Sequence, residues 1–381
     1  MQTLRPYQED AVAALEVAWA ARPGRGLCAM PTGSGKTHVI RELIHYVAAA
    51  QRGRPAAPIL VVAHRRELMR QIYDRLSGEN LPPIIMTGEA DINWQPRDQP
   101  MIVITSPPWL ARWHLTTRPA LCICDECHHY SSNQYSTIVQ RVGAEVTFGF
   151  TATPKRADGL WATNTFGPVL YAISSLDLLA QHYLADFRDV YVPTYASVPA
   201  VTAIVRSMRD SGYGRHTIVF ARSIREANEV ALSMQEAGIN ATTTNYRHSD
   251  GERTEAIEEF TSGRSPCIVN VELLTEGWDV PLADTAILMN SSQSPVKVGQ
   301  MIGRVLRPHK DKVAWIYRFD HSTLRPMDCL TGPAVQGLAD AMEYGLSAYE
   351  AINLRYQGQE GDVRRDWDRR YFDDWVESSW R

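Results

Sequence analysis

An apolar run, Gly26-Leu27-Cys28-Ala29-Met30, breaks into Pro31-Thr32-Gly33-Ser34-Gly35-Lys36-Thr37 and then into helix-type sequence reaching about Ala50. Strand, glycine-rich turn and helix in that order are the context a phosphate-binding loop requires. Gly33 and Gly35 let the backbone curl so that several N–H groups face one anion. The new helix adds its positive end. Lys36 brings a mobile cation to the β- and γ-phosphates of a nucleotide, and Thr37 offers a hydroxyl to Mg²⁺. One departure stands out: the general pattern wants Gly at position 30, where this chain has Met. The plain alternative is a Gly/Ser turn followed by a surface lysine.

The chain has 381 residues, enough for two to three domains. At 44% hydrophobic and 22% charged it has the make-up of an ordinary globular protein. No apolar run approaches the ~18–20 residues of a membrane span. Met1 to Gln8 shows no apolar signal segment, so the cytoplasm is the expected compartment; no membrane partner is expected, and a monomer is the default. The net charge of −4 does not advertise nucleic-acid binding, although a basic groove depends on distribution rather than on the sum. Six cysteines in so long a chain do not make a disulfide framework.

A second strong signal lies at Leu121-Cys122-Ile123-Cys124-Asp125-Glu126-Cys127-His128. An apolar strand delivers two consecutive carboxylates at its C-terminal end. Asp125 can hold Mg²⁺ through its water shell, and Glu126 is placed to orient and deprotonate an attacking water. Cys122, Cys124 and Cys127 beside His128 and His129 also suggest zinc. On a buried strand, however, they are better read as small apolar core residues.

Further apolar strands are expected at 58–63, 101–105 and 146–150, with a helix from about His64 through Leu76. Gln8 to Ala21 reads as an amphipathic helix, and the Gln8 amide suits an adenine edge. Thr151-Ala152-Thr153 ends its strand near the expected γ-phosphate edge. After an irregular stretch read as a linker, strands at 189–193, 217–221, 242–245, 267–271, 285–289 and 313–319 alternate with helices such as 224–237 and 251–262. Such a series means a parallel sheet with helices on both faces. Gln300, Gly303, Arg304 and Arg307 fall on one stripe of a helix, which suits arginine fingers for phosphoryl transfer; a salt-bridged helix is the plain reading. Residues 359–381 are dense in alternating charge with Trp367, Trp375 and Trp380. That pattern reads as a tail packed back on the domain, with base stacking as the alternative.

Taken in order, these motifs resemble a superfamily 2 helicase, from about Leu4 to Pro308. Leu4–Gln8 looks like its adenine-reading Q-type motif and Pro31–Thr37 like motif I in a form that explains Met30. Ala63–Leu68, Thr105-Ser106, Asp125–His128, Thr151–Thr153, Val219–Ser223, Thr275–Asp279 and Gln300–Arg307 resemble motifs Ia, Ib, II, III, IV, V and VI. Leu4-Arg5-Pro6-Tyr7-Gln8 and Thr275-Glu276-Gly277-Trp278-Asp279-Val280-Pro281 are similar to the DNA-directed branch, which holds restriction translocases and phage branch-migration helicases. DEAD-box RNA helicases usually carry His where motif VI begins here with Gln300.

The resemblance implies an α/β fold of two tandem RecA-like domains plus a small C-terminal extension. The expected division is 1–165 for the ATP-binding domain, 166–187 for a linker, 188–325 for the helicase C-terminal domain and 326–381 for the extension. It implies ATP hydrolysis with Mg²⁺ at the cleft between the domains, coupled to movement along DNA or its unwinding. An RNA helicase, or a duplex translocase subunit whose protein partners supply specificity, are the alternatives. It assigns catalysis to Lys36, Glu126, Gln300, Arg304 and Arg307, and nucleotide binding to Arg5, Gln8, Thr32, Gly33, Ser34, Gly35, Lys36, Thr37, Gly277 and Asp279. Thr37 and Asp125 fall to the metal, and Arg65, Thr105, Arg222 and Thr275 to the nucleic-acid backbone.

Overall fold

A computed structural model describes residues 3–52, 57–64, 66–77, 81–87, 101–112, 117–131, 133–152, 162–273, 280–290, 292–310, 312–322, 324–331, 338–343 and 345–356. The chain forms two compact units, Met1–Ser174 and Ser175–Arg381.

The first unit is built on β1 (Gly24–Ala29), β2 (Ile59–Val62), β3 (Ile84–Met86), β4 (Ile102–Thr105), β5 (Leu121–Cys124), β6 (Val146–Thr151) and β7 (Val169–Ala172). They form one sheet in the order β3-β4-β2-β5-β6-β1-β7, with every pairing parallel. The strands β2, β4, β5 and β6 are buried along their whole length. This is why they read as unbroken apolar runs rather than as alternating ones. The register sets Ala29 opposite Thr151, Val62 opposite both Thr105 and Cys124, and Cys124 opposite Gly149. The C-terminal ends of five strands therefore lie along one edge, where α/β sheets place their ligands. At Gly149 a Cβ would come within 2.8 Å of both Cys127 Sγ and the Phe166 ring, so this central strand has room only for glycine.

The second unit holds β8 (Asp186–Val192), β9 (Thr217–Phe220), β10 (Ala241–Asn245), β11 (Cys267–Val271), β12 (Thr285–Leu288) and β13 (Val313–Phe319). Their order is β10-β11-β9-β12-β13-β8, again wholly parallel. The helices Val198–Asp210, Ile224–Glu236 and Asp250–Thr261 start on Ser197, Ser223 and Ser249, each accepting a hydrogen bond from a backbone N–H of the first turn. The apolar stripes of the first two (Val201 and Val205; Ala227, Val230 and Met234) meet β9 and β11 in one core.

The stretch read as a linker holds regular structure. β7 pairs with β1, and the helix Ser175–Ala180 opens the second unit. β7 is half-buried throughout, so it lacks the fully apolar run that marked its neighbours. Helices Leu338–Glu343 and Ala348–Tyr356 cover the outer strand β8. There Arg188 donates to Gly345 O at 2.7 Å, and the Tyr349 N–H donates to Asp186 Oδ1 at 2.9 Å. Arg318 donates to Asp189 at 2.9 Å and to Glu343 Oε1 at 3.0 Å. The tryptophan-bearing segment 359–381 lies outside the described residues. Among those residues no helix is long and apolar enough to cross a membrane.

Candidate functional site

The loop Met30–Thr37 leaves the end of β1, held by the Met30 N–H to Thr151 O at 2.9 Å. Met30 itself is buried, which gives the unexpected residue at this position an apolar setting. Gly33 and Gly35 take left-handed conformations, with φ of +86° and +82°. Gly35 caps the helix Lys36–Ala50. The loop curls under Tyr7 and Gln8: the Tyr7 hydroxyl donates to Ser34 O at 2.6 Å and Gln8 Nε2 to the same oxygen at 2.8 Å. A Cβ at Gly35 would lie 2.5 Å from Gln8 Nε2.

Gln8, expected at the adenine edge, makes two hydrogen bonds within the protein. Its Oε1 accepts the Arg5 N–H at 3.0 Å while its Nε2 holds the loop, and the side chain is buried. Both ends of the amide are thus engaged within the protein. Gln at the third position of a helix can reach back to the backbone N–H ahead of its first turn, and Gln8 does so here to Arg5. Arg5 Nη1 also lies 3.4 Å from the Tyr7 hydroxyl.

Beside the loop, Lys36 Nζ is 3.3 Å from Glu126 Oε1, with both side chains about nine-tenths buried. Lys36 also donates to Met30 O at 3.4 Å. Asp125 and Glu126 follow β5, anchored by the Asp125 N–H to Val62 O at 3.0 Å. Asp125 Oδ1 accepts the Glu126 N–H at 3.0 Å. Glu126 has φ +47°, a left-handed backbone that a glutamate adopts only at a cost and that clusters at functional sites. His128 Nδ1 lies 2.9 Å from Thr151 Oγ1 and 3.6 Å from Glu126 Oε2, so the ends of β5 and β6 are joined through one imidazole. The His129 ring contacts those of His64 and His128, with centroids 4.1 Å away in each case. Cys122, Cys124 and Cys127 are fully buried, and burial pushes the Cys124 and Cys127 thiols well above the ordinary cysteine range.

Thr37 Oγ1 accepts a hydrogen bond from Arg75 Nη1 at 3.0 Å. Arg75 lies in the last turn of the helix Arg66–Leu76; nothing in the sequence singled it out. Burial lowers the affinity of its guanidinium for its proton, and the Asp125 carboxylate opposes that effect. The Thr37 hydroxyl and Asp125 carboxylate are hard oxygens that suit Mg²⁺, an ion that takes one or two protein ligands and completes its shell with phosphates and water. The corner already accommodates a positive charge, that of Arg75. The curled backbone with a helix N-terminus behind it fits a triphosphate.

In the second unit the expected helical stripe is cut short. The helix Pro295–Ile302 stops at Gly303. A tight turn follows, with the Arg304 N–H to Met301 O at 3.2 Å and the Val305 N–H to Ile302 O at 3.0 Å. Arg304 and Arg307 therefore leave from a turn, ahead of Pro308. Gln300 and Arg304 are buried, and Arg307 is half-buried. The positive charge of Arg307 reaches Lys312: burial first, and Arg307 with it, lower the Lys312 ammonium to about 8 against the opposing pull of Asp284. Lys312 Nζ donates to Pro281 O and Ala283 O at 2.9 and 3.0 Å.

The nucleic-acid candidates fare differently. Thr105 is fully buried, its hydroxyl accepting from Thr87 Oγ1 at 3.1 Å. It is a sheet residue here, because β4 runs through it, and its side chain is not presented to a strand. Arg222 follows β9 and turns onto its own helix, donating to Glu226 Oε1 at 3.0 Å and to Ala196 O at 3.2 Å. Arg65, Thr275, Gly277 and Asp279 lie outside the described residues.

Two family models match. The one described as type III restriction enzyme, res subunit covers residues 1–156, and the one described as helicase conserved C-terminal domain covers 199–309. The DNA 3'-5' translocase XPB2 of Sulfurisphaera tokodaii is 27% identical over 371 residues, 82% of this chain and 80% of that protein. A 51.5 kDa protein of Lactococcus phage (isolate 7-9) is 26% identical over 310 residues, 75% of this chain and 63% of its own length. Among solved structures, the ATP-dependent Type ISP restriction-modification enzyme LlaBIII bound to DNA superimposes with a TM-score of 0.63. It is 16% identical, with 83% of this chain and 27% of that chain covered, a likeness of fold. The chain spans about 60% of the length of several curated relatives that it matches. With both units matched in the same order as the motifs, the chain belongs to superfamily 2 of the helicases.

Proposed function

We propose that the chain hydrolyses ATP and couples the hydrolysis to movement along DNA. The observation that carries this reading is the pairing of Lys36 with Glu126 at 3.3 Å over a curled glycine loop. A phosphate-binding ammonium and a carboxylate base are held at one place, out of bulk water. Incoming phosphate competes for Lys36 and releases Glu126 to take the proton of an attacking water. The strained backbone at Glu126 and the His128–Thr151 link fix where that carboxylate points. Backbone N–H groups of Gly33 to Thr37 hold the phosphates, and Tyr7 and Gln8 hold the loop itself through Ser34 O. Thr37 and, through its water shell, Asp125 would hold Mg²⁺, which would supply charge neutralisation at the phosphate oxygens.

Residues 1–165 are assigned as the ATP-binding domain and 188–325 as the helicase C-terminal domain. The latter contributes Gln300, Arg304 and Arg307 to hydrolysis. DNA is preferred over RNA because Gln300 stands where RNA-directed members usually carry His, and because the relative XPB2 is named for DNA. Grip through the backbone gives weak sequence preference. The working compartment is the cytoplasm, and partners supply specificity.

The test compares ATP turnover with single-stranded DNA, duplex DNA, branched DNA and RNA, each at two salt concentrations. Stimulation by DNA in excess of RNA, falling steeply with salt, is the expected result. Equal or greater stimulation by RNA moves the assignment to an RNA helicase.

A further inference from the structure

Arg75 is a charged side chain inside the nucleotide site to which no step above gives a part. It comes from the last turn of the helix Arg66–Leu76, which follows β2. The Asp125 charge acts on its guanidinium, whose Nη1 rests 3.0 Å from Thr37 Oγ1. A hydroxyl oxygen that accepts from a guanidinium is a poor ligand for Mg²⁺ at the same time. A guanidinium and a divalent cation about 4 Å apart repel by about 8 kcal/mol at the effective dielectric of a protein surface. One of the two cations must give way.

We propose that Arg75 guards the metal position: its guanidinium holds the Thr37 hydroxyl until Mg²⁺–nucleotide displaces it, and it serves as the positive partner of nucleotide that arrives without metal. Arg75 is thus a positioning residue that sets how strongly nucleotide binding depends on Mg²⁺. The inference rests on Thr37 and Asp125 being the metal ligands of an ATP site. A purely structural Arg75, tying one helix to another, would alter binding with and without metal by the same factor.

The experiment is a fluorescence titration of the full chain with N-methylanthraniloyl-ADP, in excess MgCl₂ and separately in EDTA. Wild type is compared with Arg75→Ala, Arg75→Gln and Arg75→Lys. Removing the guanidinium tightens binding with Mg²⁺ and weakens it without. The ratio of the two dissociation constants therefore rises by about tenfold over wild type in the Ala and Gln variants, the worth of one charge-assisted hydrogen bond. Arg75→Lys keeps the charge and stays near the wild-type ratio. An unchanged ratio in Ala and Gln, or a lysine variant indistinguishable from them, overturns the proposal while leaving the ATP site standing. If wild type binds the nucleotide under neither condition, the ATP site falls and Arg75's role falls with it.

Discussion

Glu126→Gln is expected to lower ATP turnover by about 10²–10⁴-fold, the range a positioned general base contributes, while nucleotide still binds. The reason lies in what the substitution keeps. Glutamine preserves the length of the side chain and can still accept from Lys36, 3.3 Å away in the native pair, but it cannot take a proton from water. Lys36→Ala differs in kind. It removes the cation that meets the phosphates and takes the Lys36 charge away from the largely buried Glu126 carboxylate, a costly arrangement. Binding and turnover both collapse in that variant, and its melting temperature falls. Turnover and equilibrium binding measured on the two variants separate these roles. Wild-type turnover in Glu126→Gln removes the base from the mechanism.

Arg307→Ala carries the second large effect. An arginine that reaches the transferring phosphoryl group is worth about 10³–10⁵ in rate, and it acts on the transition state rather than on bound ATP. Turnover is therefore lost while nucleotide affinity stays within a few-fold of wild type. Its setting supports a working rather than a structural arginine. It leaves from a turn instead of the body of the helix Pro295–Ile302, and it remains half-exposed where Gln300 and Arg304 are buried. Equal losses in binding and turnover would instead make Arg307 a structural residue. A comparison of nucleotide affinity with turnover in the same variant decides between the two.

Much of the fold was legible because parallel strands buried on both faces write themselves as apolar runs. β2, β4, β5, β6 and most strands of the second sheet coincide with such runs to within a residue or two. β3 and β7 did not show, since each is short and only half-buried. The glycine loop and the Asp125-Glu126 pair were legible because their chemistry is local: the residues that act are adjacent in the chain. What escaped was long-range pairing. Lys36 and Glu126 are 90 positions apart in sequence, and only the parallel register of β1, β6 and β5 brings their strand ends together. Arg75 reaches Thr37 through a helix packed across the sheet edge. The helix under Gln300 stops at Gly303, short of Arg307, and helical spacing says nothing about where a helix ends. The bonds of Gln8 to Arg5 N–H and to the Ser34 carbonyl are likewise invisible in a reading that considers its amide against adenine alone.

Phosphate release from ATP by the purified full chain, in the presence of Mg²⁺ and with and without saturating single-stranded DNA, tests the central claim most directly. Turnover that rises when DNA is added, and vanishes in Lys36→Ala under the same conditions, is the predicted result. Turnover indifferent to DNA, or retained by Lys36→Ala, contradicts a DNA-coupled ATPase built on the loop Met30–Thr37.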